Sequence, residues 1–298
     1  MDGILIINKP EKITSAGVVS RLKKILNIKK IGHTGTLDPM ATGVLVCCIN
    51  RGTKLARFFL TGTKKYEAEL KLGVETDTQD MTGKVISESD FTLFSHEKLK
   101  SVFKKFEGNI KQIPPAYSAL KHNGIPLYKF ARKGEFIQKP PRDVCISRIC
   151  ITSIRLPKIS FEVDCSSGTY IRTICFDIGR ELGCGAHLVK LKRTESCGFS
   201  INNAITLEEV KKISLQGDLQ KKIISMSDAL PYMDKYIASN ALTEKIRHGI
   251  VLTKQDGIIS SCKTEGFIKI LNKEKNLIAI VHDDEKHGMF KYYGVFHY

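Results

Sequence analysis

Twelve residues near the start of the chain, GHTGTLDPMATG at positions 32–43, constrain its folding most strongly. They place three glycines, one histidine and one proline around a single carboxylate, Asp38. The apolar run 44–49 follows directly and is typical of a buried strand. Glycine permits positive φ and close backbone approach, whereas Pro39 fixes its own φ and biases Asp38 toward extended backbone. We therefore expect a rigid loop that holds Asp38 beside a buried strand, where functional residues are common.

Other interpretations of this segment must be weighed. Asp38 could simply cap a backbone amide in a glycine- and proline-rich turn, and the pattern alone leaves this open. A phosphate-binding loop does not fit, because no Gly-Lys-Ser/Thr follows and Gly32, Gly35 and Gly43 do not match GxGxxG. A metal site does not fit either, since His33 and Asp38 are too few ligands and no HExxH or EF-hand pattern occurs.

The charge balance indicates a polyanionic partner. The 298 residues contain 47 Lys and Arg against 31 Asp and Glu, a net charge of +16. Residues 231–298 contain ten basic and eight acidic residues, so +14 of that charge lies in residues 1–230. The basic residues are spread through folded-looking sequence, which argues against a disordered basic arm. A generally lysine-rich proteome is the alternative explanation.

The cysteines and the apolar runs predict a cytoplasmic protein. The nine cysteines form no CxxC pair, and Cys47 and Cys48 are adjacent in an apolar run, as expected for small buried hydrophobes in a reducing compartment. Cys184 and His187 have ligand-like spacing, but no second pair completes a zinc site. The N-terminus lacks a signal-peptide pattern, and no apolar run approaches the roughly 20 residues that span a bilayer.

Apolar periodicity and capping residues predict the elements. Strands are expected at 3–8, 44–49, 66–72, 160–165, 257–259, 266–271 and 277–281. Helices are expected after Thr14, from Ser95 to Gly108, up to Gly183, and after Thr206, which forms a capping box with Glu209. Residues 111–142 are expected to be irregular and basic, with aromatic residues that could meet both bases and phosphates. The change to short strands places a domain boundary near residue 231.

Separated motifs match one family in residues and in order. They are Asn8-Lys9-Pro10, GHTGTLDPMATG, Lys65-Tyr66, IPPAYSALKHNGIPLYKFARKGE, CSSGTYIRT (165–173) and LGCGAHLVKLKR (182–193). Through them the chain resembles the TruB-type tRNA pseudouridine-55 synthases over residues 3 to about 230. Residues 231–298 resemble the small PUA-type RNA-binding β-barrel in length, strand pattern and glycine spacing.

The resemblance implies an α+β fold with a central mixed, largely antiparallel sheet flanked by helices, plus a small C-terminal PUA-like β-barrel. It implies a catalytic domain at 1–230 and an RNA-binding domain at 231–298. The implied activity is isomerisation of uridine to pseudouridine in the T-arm loop of tRNA by base flipping. Metal, organic cofactor, membrane and obligate protein partner are not expected, and the enzyme is expected to be a monomer.

The resemblance also implies roles for particular residues. It places the catalytic aspartate at Asp38, the base-stacking tyrosine at Tyr66 and the ion-pairing arginine at Arg172, which would hold the pKa of Asp38 down. His33 would help to hold the substrate loop open, and Leu191 would form the floor of the uracil pocket. The remaining substrate positions that it assigns are Lys9, Pro10, Gly32, Thr34, Gly35 and Tyr170.

Three rival functions remain open at this stage. A guide-RNA-dependent pseudouridine synthase shares the Gly-His-Thr-Gly-x-Leu-Asp-Pro core, but the long basic segment and short tail favour a stand-alone enzyme. A non-catalytic RNA chaperone would account for the charge, but not for Asp38 together with Arg172. A nucleoside hydrolase would release free uracil.

Overall fold

The computed structural model describes residues 1–90, 93–258, 266–284 and 286–297. Its helices are α1 (Ser15–Leu26), α2 (Ala56–Leu60), α3 (His96–Lys104), α4 (Leu127–Ala131), α5 (Ile171–Leu182), α6 (Leu207–Leu215) and α7 (Asn240–Arg247). Its strands are β1 (Gly3–Lys9), β2 (Ile31–Thr34), β3 (Thr42–Ile49), β4 (Lys64–Leu72), β5 (Val74–Thr76), β6 (Val85–Glu88), β7 (Gly108–Gln112), β8 (Lys121–His122), β9 (Ile125–Pro126), β10 (Arg142–Arg155), β11 (Lys158–Cys165), β12 (Ala186–Ser196), β13 (Phe199–Ser200), β14 (Asp234–Ile237), β15 (Leu252–Thr253), β16 (Phe267–Leu271), β17 (Leu277–Asp284) and β18 (Met289–Val295).

A nine-stranded sheet forms the centre of the larger part. Its strands follow the order β1-β3-β12-β4-β11-β10-β7, with β2 on β3 and β13 on β12. The β3–β12 pair is parallel and the other pairs are antiparallel, so the predicted mixed, largely antiparallel sheet is confirmed. Gly43 permits the parallel pair, because a Cβ there would lie 2.2 Å from the carbonyl oxygen of Arg193.

Helices cover the sheet through two apolar clusters. One cluster joins residues of α3 and α5, such as Val102 and Ile174, to Leu70 and Phe161 of the sheet. The other joins α1 and α6 to β1, β2 and β3. Because α5 packs on the sheet beside β12, its N-terminus, where Arg172 lies, is fixed relative to the strands.

Residues 234–297 contain a second sheet, with order β14-β16-β17-β18-β15 over the described residues. This five-stranded sheet is compatible with the predicted PUA-like barrel. It shares an apolar cluster with the larger part, in which Leu271, Leu277 and Phe296 join Ile4 and Phe59. The two parts therefore pack against each other, and the boundary at residue 231 remains a prediction.

Most predicted helix ends are confirmed. Thr14 caps α1 by accepting a hydrogen bond from the Gly17 amide (2.9 Å), Thr206 and Glu209 form the capping box of α6, and Gly183 ends α5 with φ 82°. Among the described residues, no helix has the length and apolar character needed to cross a membrane.

Three predictions of local structure were wrong. Helix α3 ends at Lys104 because a turn follows it, and Gly108 begins β7. Residues 257–258 follow a 3-10 turn instead of forming a strand, with Gly257 in the left-handed region at φ 71°; residue 259 lies outside the described residues. The segment 111–142 is not wholly irregular, since it contains the β8–β9 hairpin and α4.

Candidate active site

The loop that carries Asp38 is clamped by the first strand and the first helix. The Ser15 hydroxyl accepts a hydrogen bond from the Leu37 amide (2.8 Å) and donates one to the Leu37 carbonyl (3.2 Å). Lys9 at the end of β1 donates from Nζ to the carbonyl oxygen of Pro39 (3.2 Å). Bonds therefore fix the backbone on both sides of Asp38, as the glycine- and proline-rich sequence predicts.

Lys9 supports this loop from inside the protein. Its side chain is fully buried, and Nζ also donates to the carbonyls of Pro10 (2.8 Å) and Ile13 (2.7 Å). Burial lowers the pKa of Lys9 to about 8, although Asp38 opposes this shift. Lys9 thus joins residues 10–13 to the Asp38 loop at Pro39, while the Pro10 side chain is exposed and takes part through its carbonyl.

Arg172 in the first turn of α5 pairs with Asp38. Its Nε lies 3.0 Å from Oδ2 of Asp38, and its Nη2 donates a hydrogen bond to Oδ1 (3.3 Å). The Nε–H is not aligned on an acceptor, so the Nε contact is an ion pair without a good hydrogen bond. The Arg172 side chain is 4% exposed and that of Asp38 is 31% exposed, so the carboxylate faces open space and the guanidinium lies behind it.

The far side of the Arg172 guanidinium is held by the segments before and after α3. Nη1 donates to the Thr78 carbonyl (3.1 Å), and Nη2 donates to the Tyr117 carbonyl (2.9 Å). The buried Asp80 carboxylate lies 3.8 Å from Nη1. These contacts leave Arg172 little freedom to leave Asp38, which distinguishes it from an exposed surface ion pair.

The pKa of Asp38 is raised above its ordinary value. Burial is the largest cause, and the Asp80 carboxylate adds to it, whereas Arg172 and Lys9 lower the pKa. Arg172 lowers this pKa, as expected, but desolvation outweighs the ion pair and the net shift is upward. A carboxylate with a raised pKa is a stronger base and nucleophile than an ordinary aspartate once it is ionised.

Tyr66 and Leu191 form one apolar wall beside Asp38. Both side chains are 8% exposed, and both line a cleft of about 300 Å³ together with Asp38. Tyr66 lies on β4 opposite Arg193 of β12, whose positive charge partly offsets the rise that burial causes in the pKa of Tyr66. The wall therefore offers an aromatic face and an aliphatic side chain to a planar ligand.

Tyr170 also lines the cleft, directly before α5. The side-chain amide of Gln112 clamps its backbone, accepting from the Tyr170 amide (2.7 Å) and donating to its carbonyl (3.0 Å). Its ring centre lies 5.7 Å from the guanidinium carbon of Arg172. Tyr170 therefore connects the cleft wall to the arginine that holds Asp38.

The cleft gathers part of the predicted site. The predicted residues that line it are Gly35, Asp38, Tyr66, Tyr170, Arg172 and Leu191. Gly35 has φ 90°, which favours glycine there, but Gly32 has neither a positive φ nor a close neighbour. Thr34 is buried in β2 and does not line the cleft.

His33 lies in a separate cavity. It lines a space of about 500 Å³ between β2 and α1, together with Ser20 and Lys23. Its Nδ1 is buried without a hydrogen-bond partner among the described residues. Burial lowers the pKa of His33, so the neutral imidazole is favoured.

Sequence reasoning missed two supporting residues. Arg193 is 1% exposed, and it donates to the Val44 carbonyl (2.7 Å) and the Gly35 carbonyl (3.0 Å), which fixes the base of the loop. Asp80 lies behind Arg172 and accepts bonds from neighbouring threonines. The Thr-x-Asp-x-Thr spacing at 78–82 hints at a self-bonded turn, but only the fold brings it to Arg172.

Within the part of the chain that the structure describes, no group of three or more His, Cys, Asp or Glu side chains is placed to hold a metal ion. The spacing of Cys184 and His187 reflects local structure instead. Nδ1 of His187 is bonded to the Val74 carbonyl (2.9 Å), and the Cys184 thiol faces the carbonyl of Gly185 (3.5 Å).

The cleft thus holds a carboxylate–guanidinium pair beside an aromatic side chain, with the guanidinium carried by the first turn of α5. The model of the TruB family pseudouridylate synthase N-terminal domain matches residues 23–171, and that of the tRNA pseudouridylate synthase B C-terminal domain matches residues 172–239. The chain therefore belongs to the TruB family of pseudouridylate synthases.

Relatives and solved structures agree with this assignment. A "tRNA pseudouridine synthase B" from Geotalea uraniireducens is 43% identical over 264 residues, covering 88% of this chain and 85% of the relative. One of the same name from Francisella philomiragia is 42% identical over 281 residues, covering 92% of each. A Cbf5-Nop10-Gar1 complex contains a chain with a TM-score of 0.76 and 27% identity, covering 99% of this chain and 85% of that one.

Proposed function

We propose that this protein converts uridine to pseudouridine in the T-arm loop of tRNA. The observation that carries the proposal is the Asp38–Arg172 pair, 3.0 Å between Oδ2 and Nε, in a cleft lined by Tyr66 and Leu191. A planar base can stack on the Tyr66 ring, with Leu191 beneath it, while its ribose lies at the carboxylate. Two relatives at 42–43% identity carry the name of this activity.

The reaction breaks the glycosidic C–N bond, turns the detached base and forms a bond from C5 of the base to the same sugar carbon; C5 then loses its proton and N1 gains one. Asp38 can attack the sugar carbon, as in retaining glycosidases, or remove a sugar proton. In either case Asp38 must be ionised, and Arg172 supplies the countercharge and fixes the direction of the carboxylate. Tyr66 holds the base in place while it turns.

The target uridine must leave the RNA stack to reach this cleft. Extrusion costs a few kcal/mol and requires a binding surface for the flipped base. His33 lines a separate cavity beside Lys23, and we assign its neutral imidazole to the space that the base vacates in the RNA. Lys9, Pro10, Gly32 and Thr34 act indirectly: Lys9 and Pro10 support the Asp38 loop between β2 and β3, and Gly32 and Thr34 belong to β2, which leads into it.

A stand-alone tRNA enzyme is favoured over a guide-RNA-dependent one. The two relatives named above for tRNA are 42–43% identical to this chain, whereas the chain in the Cbf5-Nop10-Gar1 complex is 27% identical. We therefore propose that the protein acts as a monomer, without obligate protein partner or cofactor, in the cytoplasm. We further propose that residues 1–230 perform catalysis and that 231–298 form a PUA-like RNA-binding domain.

The test is to incubate the purified protein with one unmodified tRNA transcript and to map pseudouridine. We expect one modified uridine in the T-arm loop, no free uracil, and no product from Asp38→Asn, which keeps the size of the side chain but removes the carboxylate. Free uracil would indicate a hydrolase, and modification only in the presence of added guide RNA would support the guide-dependent rival. Binding of tRNA without any product would support the chaperone.

A further inference from the structure

Arg142 begins β10 and lines the same cleft as Asp38, but neither the family motifs nor the mechanism above gives it a role. In the β7–β10 ladder it is opposite Gln112, whose amide clamps Tyr170. Its guanidinium carbon lies 4.7 Å from the centre of the Tyr170 ring, a cation–π contact. Gly168, with φ 85°, packs against the same guanidinium, since a Cβ there would lie 3.4 Å from it. The guanidinium is therefore held at a defined place.

The hydrogen-bonding capacity of this guanidinium is largely unused. Its Nε and Nη2 are buried and have no hydrogen-bond partner within residues 1–90, 93–258, 266–284 and 286–297. Leaving a buried donor without an acceptor costs about 1–3 kcal/mol, and more for a charged group. An anion that entered the cleft and accepted these bonds would remove that cost.

The other cations of the cleft already have acceptors. Arg172 donates to Asp38 and to two backbone carbonyls, and Arg193 donates to the carbonyls of Gly35 and Val44. Lys64 donates to the carbonyls of residues 60 and 62. Among the described cations that line the cleft, Arg142 is thus the one whose side chain is held by packing and not by hydrogen bonds to protein acceptors.

We propose that Arg142 binds a backbone phosphate of the substrate RNA directly beside the target nucleotide, an inference that rests on the proposed function. A guanidinium presents a fork of N–H donors that fits phosphate oxygens in a bidentate manner. The Tyr170 ring is shared by this site and the catalytic pair, with its centre 4.7 Å from the Arg142 carbon and 5.7 Å from the Arg172 carbon. A ribose at Asp38 therefore has a neighbouring phosphate within reach of Arg142.

The experiment pairs a protein change with a charge deletion in the RNA. Binding of a T-arm stem-loop is measured in the Asp38→Asn background, so that no turnover occurs, with Arg142 either retained or changed to Gln. Each phosphate next to the target uridine is replaced in turn by a neutral methylphosphonate. With Arg142 present, we expect one replacement to weaken binding about 10- to 100-fold, the value of a lost charge-assisted contact.

In Arg142→Gln, binding of the unmodified RNA should fall by a similar factor, and the critical methylphosphonate should cause little further loss. The slope of log affinity against log salt should decrease by about 0.7–0.9. Arg142→Lys should restore the salt slope but only part of the affinity, because an ammonium lacks the fork. Arg148→Gln is the matched control, since Arg148 is on the same strand and pairs with Glu162 at 3.0 Å outside the cleft.

The proposal is overturned if each methylphosphonate causes the same loss of RNA binding in the Arg142→Gln variant as in the protein that retains Arg142. It is also overturned if Arg148→Gln removes the loss caused by the critical methylphosphonate. If Arg142→Gln does not fold, as judged by its thermal transition, the comparison is made with Arg142→Lys, in which the critical methylphosphonate must cost less than in the parent. The proposed function is tested separately by the unmutated enzyme. If that enzyme makes no pseudouridine in tRNA the function fails, whereas absent coupling in an active enzyme refutes only the role of Arg142.

Discussion

Replacement of Arg172 by lysine should nearly abolish turnover while keeping the positive charge. The Arg172 guanidinium contacts Asp38 through Nε and Nη2 and the carbonyls of Thr78 and Tyr117 through Nη1 and Nη2. A lysine has one nitrogen at the end of its chain and cannot reach all these acceptors at once. At least two charge-assisted bonds should be lost, at about 1.5–3 kcal/mol each. If this loss of about 3–6 kcal/mol falls on the transition state, the rate should decrease about 100- to 10,000-fold.

The assay is release of tritium from tRNA labelled at C5 of uridine, measured in a single turnover at saturating enzyme. The matched control is Arg180→Lys, because Arg180 lies on the same helix and pairs with Glu75 at 3.2 Å, but its side chain is 62% exposed. We expect the control to keep a rate near that of the unmutated enzyme. A folded Arg172→Lys protein within threefold of that rate would refute the argument that the shape of the guanidinium orients Asp38.

Further predictions concern pH and the tail. Because the pKa of Asp38 is raised and the ionised form is required, the acidic limb of the pH profile of kcat/KM should have an apparent pKa above 3.8. An apparent pKa below 3.8 would contradict the role of Asp38 as the group that must ionise. The pKa of Lys9 is lowered to about 8 from 10.5, so the unfolded chain binds more protons between those values and the free energy of unfolding should rise with pH there. Urea titrations should show this rise in the parent protein and a smaller rise in Lys9→Met. Equal pH dependence of the two unfolding free energies would contradict the role of Lys9. Removal of residues 232–298 should weaken tRNA binding. It should also lower the thermal midpoint, because Leu271, Leu277 and Phe296 complete a core that is shared with residues 1–230. An unchanged midpoint in calorimetry would contradict the second expectation.

The sequence was sufficient to predict the loop around Asp38 and most helix ends, because these depend on local chemistry. Capping by Thr14 and Thr206 needs only residues three positions away. The glycine at position 43 indicates a close approach of another backbone, even though the sequence does not show that the partner is Arg193. The errors occurred where local signals compete. Gly108 is a good helix terminator, but the chain turns after Lys104 and uses this glycine to enter β7.

The net pKa of Asp38 and the support for Arg172 could not be predicted in the same way. Both depend on desolvation and on contacts between distant segments, such as that of Tyr117 with Arg172. Motif order identifies the members of the pair but gives no information on how much water reaches them. The unused donors of Arg142 are likewise a property of the folded cleft alone.

The contacts of Asp80, the second carboxylate near Arg172, leave Asp38 as the carboxylate that faces the cleft. Oδ1 of Asp80 accepts bonds from the Thr78 hydroxyl (2.9 Å) and from the amide (2.9 Å) and hydroxyl (2.5 Å) of Thr82, while its Oδ2 faces Arg172 at 3.8 Å. Asp80 is therefore buried and committed to holding the far side of the guanidinium, and it is poorly placed to donate a proton to a leaving group. Retaining glycosidases need such a donor because their product departs. In an isomerisation the detached base remains beside the sugar, so one carboxylate that faces the cleft, Asp38, is sufficient for the proposed reaction while Asp80 orients Arg172.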